Sequence, residues 1–159
     1  VLHAISRCHR LSLPLCKTIG ESIMQEMVSG SCGCGSVKIN LNINKCNVVN
    51  CHCNTCRKLN GSAFSTYVVV SEKNFKIETG ISHISKFVIS KNGEKNYCNK
   101  CGTPIFNKNY KYPSLTMIHL GTLNLLQKVQ PKVNIFCQSM LSWVAFKDEI
   151  ASFEKEIIQ

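Results

Sequence analysis

The chain lacks any apolar run near the ~20 residues that a membrane helix needs, and its longest candidates, such as Tyr67 to Val70, are strand-sized. No apolar core of the ~7–15 residues found in a secretory leader stands near its start. It also lacks an even cysteine count, because it holds 11. A secreted disulfide scaffold calls for an even number and a leader, so both absences count against one. The expected setting is instead reducing and cytoplasmic, with no membrane partner. Acids are scarce, 9 against 19 basic residues, and the formal charge is +10. Yet there is no arginine cluster, and the lysines stand singly among asparagines. That spread describes a solvated basic surface and gives little support to a nucleic-acid groove.

With 159 residues, 44% of them hydrophobic, the chain has material for one ordinary domain with a real core. Residues 1–27 differ in texture, being basic, Ser-containing and free of acids before Glu21. They read as an appendage, either of transit-peptide type or lying upstream of a start at Met24 or Met27. The zinc-binding domain is expected over residues 28–159. There the pattern is one of short strands between turns. Val37 to Ile43 alternates apolar and polar residues strictly, the mark of a half-buried strand. Further strands are expected at Cys46–Asn50, Ser65–Val70, Phe75–Glu78, Ile84–Ser90, Lys95–Cys98, Leu115–Leu120 and Val133–Cys137. Asn92-Gly93 reads as a hairpin turn, because both residue types tolerate positive φ. Asp148 to Ile158 reads as a helix, with Ile150, Phe153, Ile157 and Ile158 on one face. The fold class is therefore mainly β: packed antiparallel sheets with short helical turns and a C-terminal helix.

Seven cysteines fall in three tight clusters: Cys32-Gly-Cys34, Cys51-His-Cys53-Asn-Thr-Cys56 and Cys98-Asn-Lys-Cys101. Thiolate is a soft ligand suited to Zn²⁺, and four around one ion close a structural site. A glycine after the second cysteine permits the tight knuckle turn, and Gly35 and Gly102 stand there. Seven ligands divide as four plus three. The natural partition gives Cys32, Cys34, Cys98 and Cys101 a closed site. Cys51, Cys53 and Cys56 then hold a second zinc with one position open, as a catalytic site does. The expected cofactor is two Zn²⁺ per chain. An iron–sulfur cluster is the lesser reading, because the C-x₂-C-x₂-C run is missing. His52 is a possible fourth ligand, although adjacent residues in an extended turn point opposite ways. Cys46 and Cys137, isolated within strand patterns, read as small buried apolar residues.

Three strings carry a resemblance. Gly30-Ser-Cys-Gly-Cys-Gly-Ser-Val37 is similar to G-S-C-x-C-G-x-V. Cys51-His-Cys-Asn-Thr-Cys-Arg57 with Gly61-Ser62 is similar to C-H-C-x-x-C-R…G-S. Tyr97-Cys-Asn-Lys-Cys-Gly-Thr-Pro-Ile-Phe106 is similar to F-C-x-x-C-G-T-P-L-F. Together with Gly121-Thr-Leu123 and Trp143, they resemble the glutathione-dependent formaldehyde-activating enzyme family from about Val28 to Phe153. The resemblance implies a β-tent fold. It also implies a structural zinc on the C-x-C and C-x-x-C knuckles and a catalytic zinc on the C-x-C-x-x-C motif. The implied reaction joins formaldehyde to glutathione and is classed in reverse as a carbon–sulfur lyase. One departure stands out: the family's late motif carries His before Ile-Trp, where this chain has Asn134-Ile135-Phe136.

The expected function is thus a zinc-dependent, carbon–sulfur lyase-type enzyme. Its partners are a small thiol such as glutathione and a small aldehyde. Cys51, Cys53 and Cys56 form its catalytic centre, and Arg57, Lys58 and Ser62 beside it bind substrate. Because the family also contains a centromere-protein-V-like branch, the domain alone does not fix the substrate. The alternative is a non-catalytic two-zinc module for protein or nucleic acid. Its local support is Tyr110-Lys-Tyr112, two aromatics flanking a lysine.

Overall fold

The computed structural model describes residues 26–124, 129–146 and 149–156. The expected appendage, residues 1–27, lies outside them except for Glu26 and Met27. Met27 already belongs to the first strand, paired with Asn42. Strands β1 (Met27–Ser31), β2 (Lys38–Asn42) and β5 (Phe75–Thr79) form a three-stranded sheet in the order β1-β2-β5. A second sheet holds β3 (Asn47–Cys51), β4 (Ser65–Ser71), β6 (Ile84–Ser90), β7 (Gly93–Cys98), β8 (Pro104–Asn109), β9 (Leu115–His119), β10 (Val133–Ile135) and β11 (Ala151–Ser152). Its order is β11-β10-β3-β4-β9-β8-β7-β6. A single α-helix, α1 (Asn54–Asn60), stands among the described residues. None of their helices is long and apolar enough to cross a membrane.

Side-chain alternation explains where the core lies. On β2, Ile39 and Leu41 are fully buried, Asn40 between them is half-buried and Lys38 before them faces out. They meet Val68 and Val70 of β4 and Ile118 of β9, so one apolar core fills the space between the sheets. Each such aliphatic side chain contributes about 1.5–3 kcal/mol by leaving water. β4 is buried on both faces, because Ser65 and Tyr67 on its other side are covered as well. That second face is polar, and α1 lies over it.

Several expectations need correction. The sheets are not wholly antiparallel, because β10 pairs parallel with both β3 and β11. Long connections separate these strands, and parallel neighbours need that length. The helix expected at Asp148–Ile158 does not form over its described part. Ala151 and Ser152 instead make β11, and the Phe153 N–H donates to Asn134 O at 2.9 Å. An eleven-residue amphipathic stretch is marginal as a helix. The open edge of β10 offers it backbone partners directly. Asp148, Ile157 and Ile158 lie outside the described residues. The strand expected at Val133–Cys137 stops at Ile135, because Phe136 takes a positive φ of 57°. β6 and β7 do form a hairpin, but its turn is Lys91-Asn92: neither Asn92 nor Gly93 takes a positive φ, and Gly93 already belongs to β7.

The loop after β5 approaches the first knuckle closely. Gly80 has φ +81°, and a Cβ there would sit 2.0 Å from Ser36 O. Gly80→Ala is therefore expected to cost at least about 2 kcal/mol, from left-handed strain plus a backbone clash. A urea unfolding curve measures it. An unchanged midpoint would show that the loop moves aside freely.

Candidate metal centres

The first cluster sits where the two sheets meet. Cys32 and Cys34 follow β1, in the three-stranded sheet. Cys98 ends β7, and Cys101 lies in the turn to β8, in the eight-stranded sheet. All four sulfurs lie within 4.8 Å of one another. Cys32 Sγ and Cys34 Sγ are 3.6 Å apart, and Cys34 Sγ and Cys98 Sγ are 3.8 Å apart. Four sulfurs placed ~2.3 Å from a central zinc form a tetrahedron with edges of about 3.8 Å, so the donors fit such an ion. The knuckle turns are as expected: Gly35 and Gly102 both have φ +73°. Backbone groups aim at the sulfurs, with the Val37 N–H donating to Cys32 Sγ at 3.2 Å. Hydrogen bonding by the Thr103 hydroxyl and backbone holds Cys101 down at about 5, which favours its thiolate.

The second cluster is built around the start of α1. Cys51 ends β3, Cys53 caps the helix and Cys56 lies in its first turn. The three sulfurs again lie within 4.8 Å of one another. Cys53 Sγ accepts the Cys56 N–H at 3.3 Å. That is an N-cap contact made by sulfur, at the helix end that favours negative charge. Hydrogen bonds from Cys51 and Cys56 lower the Cys53 thiol, and sharing with Cys53 raises Cys51. Three gathered thiols with divided proton affinities describe a donor set able to hold a metal ion.

His52 does not join this set. It is fully buried, its ring centroid 5.1 Å from that of Phe64 and 6.0 Å from that of Phe146. Its Nε2 lies 3.4 Å from Asn134 Oδ1. Asn134 also accepts from Asn50 Nδ2 at 3.0 Å and donates to Ser152 Oγ at 3.2 Å, and so ties β3, β10 and β11 together. Cys46 is in the core, 1% exposed, as a small apolar residue would be. Cys137 is half-buried in the turn after β10.

Arg57, Lys58 and Ser62 are brought together in one open cavity of about 390 Å³, along with Asn54, Leu141 and Trp143. Arg57 is partly committed, because Nη1 donates to Ser139 O at 2.9 Å and to Asn54 Oδ1 at 3.2 Å. Ser62 Oγ donates to Phe64 O at 2.6 Å, a turn contact. Lys58 and the exposed Trp143 indole give the cavity a cation and an aromatic wall. The Tyr110-Lys-Tyr112 string gives less than its sequence promised. Tyr110 donates to Glu94 at 2.6 Å, and Lys111 pairs with Glu156 at 3.0 Å.

Sequence patterning did not single out a polar group beneath α1. The Tyr67 hydroxyl donates to Cys56 Sγ at 3.3 Å, and Asn107 Nδ2 donates to the Tyr67 oxygen at 3.0 Å. His119 Nε2 lies 3.4 Å from Asn107 Oδ1. The Lys95 ammonium donates to Leu59 O at 2.9 Å and to Asn60 Oδ1. All four side chains are less than a tenth exposed. Burial raises the Tyr67 phenol, as does the nearby Cys56, so it stays protonated. Burial, with the Lys95 charge, pushes His119 down to about 3, so it stays neutral.

A family model described as "Glutathione-dependent formaldehyde-activating enzyme" matches residues 27–139, a span that includes all seven clustered cysteines. Among solved structures, the crystal structure of a Rhodobacter sphaeroides protein aligns with a TM-score of 0.53 and 18% identity. The alignment covers 65% of this chain and 91% of that one, and at this identity the likeness is one of fold. No curated protein matches the chain.

Proposed function

Because the chain belongs to the glutathione-dependent formaldehyde-activating enzyme family, we propose that it joins a small thiol such as glutathione to formaldehyde or another small aldehyde. In the reverse sense it is a carbon–sulfur lyase. Two zinc ions per chain serve it, one structural on Cys32, Cys34, Cys98 and Cys101 and one reactive on Cys51, Cys53 and Cys56. The observation that carries this reading is the unequal donor count. Three sulfurs gather around the start of α1, and among the described residues no fourth metal-ligand side chain joins them. Zinc held there supplies a Lewis acid with one position open to a thiol or a carbonyl oxygen.

The chain's own residues do the rest. The cavity beside α1 receives the thiol's body, with Lys58 and the remaining Arg57 donors meeting its carboxylates. Trp143 covers its apolar part. In the reaction a carbon–sulfur bond forms, the carbonyl π bond opens and the thiol proton ends on the new hydroxyl oxygen. No electrons are lost or gained overall.

Metal analysis and a turnover screen test the proposal together. Protein purified without chelator is expected to carry two zinc per chain and to consume formaldehyde only when thiol is present. One metal, none, or coloured iron would overturn the metal assignment. Two zinc with salt-sensitive nucleic-acid binding and no thiol response would favour the non-catalytic module.

A further inference from the structure

We propose that Tyr67 is a positioning residue for the reactive centre: its buried hydroxyl, aligned by Asn107 and His119, donates to Cys56 Sγ and sets how much charge that sulfur gives the metal. The inference rests on a metal being held by Cys51, Cys53 and Cys56.

The chain of donors has one direction. His119, kept neutral by burial, can present its Nε2–H to Asn107 Oδ1. That orients the Asn107 amide, whose N–H then occupies the Tyr67 oxygen. With its oxygen engaged, the Tyr67 hydroxyl has Cys56 Sγ as acceptor, 3.3 Å away. A thiol sulfur is a weak acceptor, whereas a thiolate makes a charge-assisted bond. Burying a phenol, an amide and an imidazole together costs free energy unless each is paired. Three strands, β4, β8 and β9, contribute to this arrangement. Packing alone does not call for it, because a phenylalanine would fill the Tyr67 site without needing Asn107. Lys95, on β7, adds the nearest buried cation and fixes the far end of α1 through Leu59 O. Cys53 Sγ, by comparison, accepts a backbone N–H of the helix itself.

Two consequences follow. Charge drawn from Cys56 makes the metal a stronger Lewis acid. It also makes Cys56 a poorer nucleophile, so that an aldehyde meets the incoming thiol and spares the ligand.

The test uses the full chain loaded with cobalt, in which the four-cysteine cluster gives the same background in every protein. Tyr67→Phe is expected to move the sulfur-to-cobalt charge-transfer absorption to lower energy. Zinc affinity of the three-cysteine cluster should fall about 10–100-fold, the usual effect of losing a ligand's hydrogen-bond partner. Iodoacetamide should alkylate Cys56 faster, as mapped by mass spectrometry. Asn107→Ala, which keeps the hydroxyl but frees it, should shift all three readouts the same way by less. It carries the test if Tyr67→Phe does not fold. A lower melting temperature with unchanged absorption and alkylation would overturn the inference and leave a structural role only. A wild-type chain that takes no cobalt at this cluster would overturn both this inference and the function above. Normal wild-type loading with silent variants would overturn this inference alone.

Discussion

Cys98→Ser is expected to abolish the folded domain, with no cooperative thermal transition remaining. Cys98 is fully buried and lies at the junction of the two sheets. Its sulfur is 3.8 Å from Cys34 Sγ, which follows a strand of the other sheet. A structural zinc contributes about 10–16 kcal/mol of apparent binding free energy. A domain of this size has only about 5–15 kcal/mol of net stability. The two are of the same size, so losing most of the first removes most or all of the second. Serine offers a hard, protonated oxygen in place of a soft thiolate, and it leaves that hydroxyl buried among sulfurs. Circular dichroism melts and metal analysis of the purified variant measure the effect. A cooperative melt near the wild-type temperature with the metal retained would show that the sheets hold together without this ligand.

The placement of the cysteines was legible in the sequence because clusters able to hold a metal ion are specified by short local spacing. Cys32-Gly-Cys34 and Cys98-Asn-Lys-Cys101 meet, as the four-plus-three partition expects. The strands were legible wherever one face is apolar and the other polar, as on β2. β8 was missed for the opposite reason. Pro104 to Asn109 mixes two buried apolar residues with the buried Asn107, so no alternation shows. α1 was hidden because none of its residues is buried. A helix held by polar contacts leaves no apolar stripe to read. Tyr67, Lys95, Asn107 and His119 share one face of the neighbouring strands β4, β7, β8 and β9, and nothing in their scattered sequence positions shows it. Their burial follows from α1 lying over that face, and strand periodicity carries no sign of such a cover. The C-terminal stretch failed differently: its helical periodicity was real, and an open strand edge outweighed it.

Cys53→Ser should produce the opposite pattern, a folded chain that has lost one metal and its thiol chemistry. Cys53 is the N-cap of α1, and its sulfur accepts the Cys56 N–H. Serine is among the best N-cap residues, so the helix start keeps its partner. α1 buries no residue of its own, and the apolar core between the sheets does not touch it. Lys95 still holds Leu59 O from below. What disappears is one of three soft ligands at a centre that has no protein ligand in reserve among the described residues. Two thiolates and a serine hydroxyl hold zinc poorly. If the metal supplies several kcal/mol to the reaction, its loss lowers thiol-dependent turnover by about 1000-fold. The expected protein carries one zinc, melts within about 5 °C of wild type for a change worth less than about 1 kcal/mol, and is nearly inactive. Loss of fold equal to that of Cys98→Ser would show that the two centres do not have separate roles. Full activity with one zinc would place the chemistry away from the start of α1.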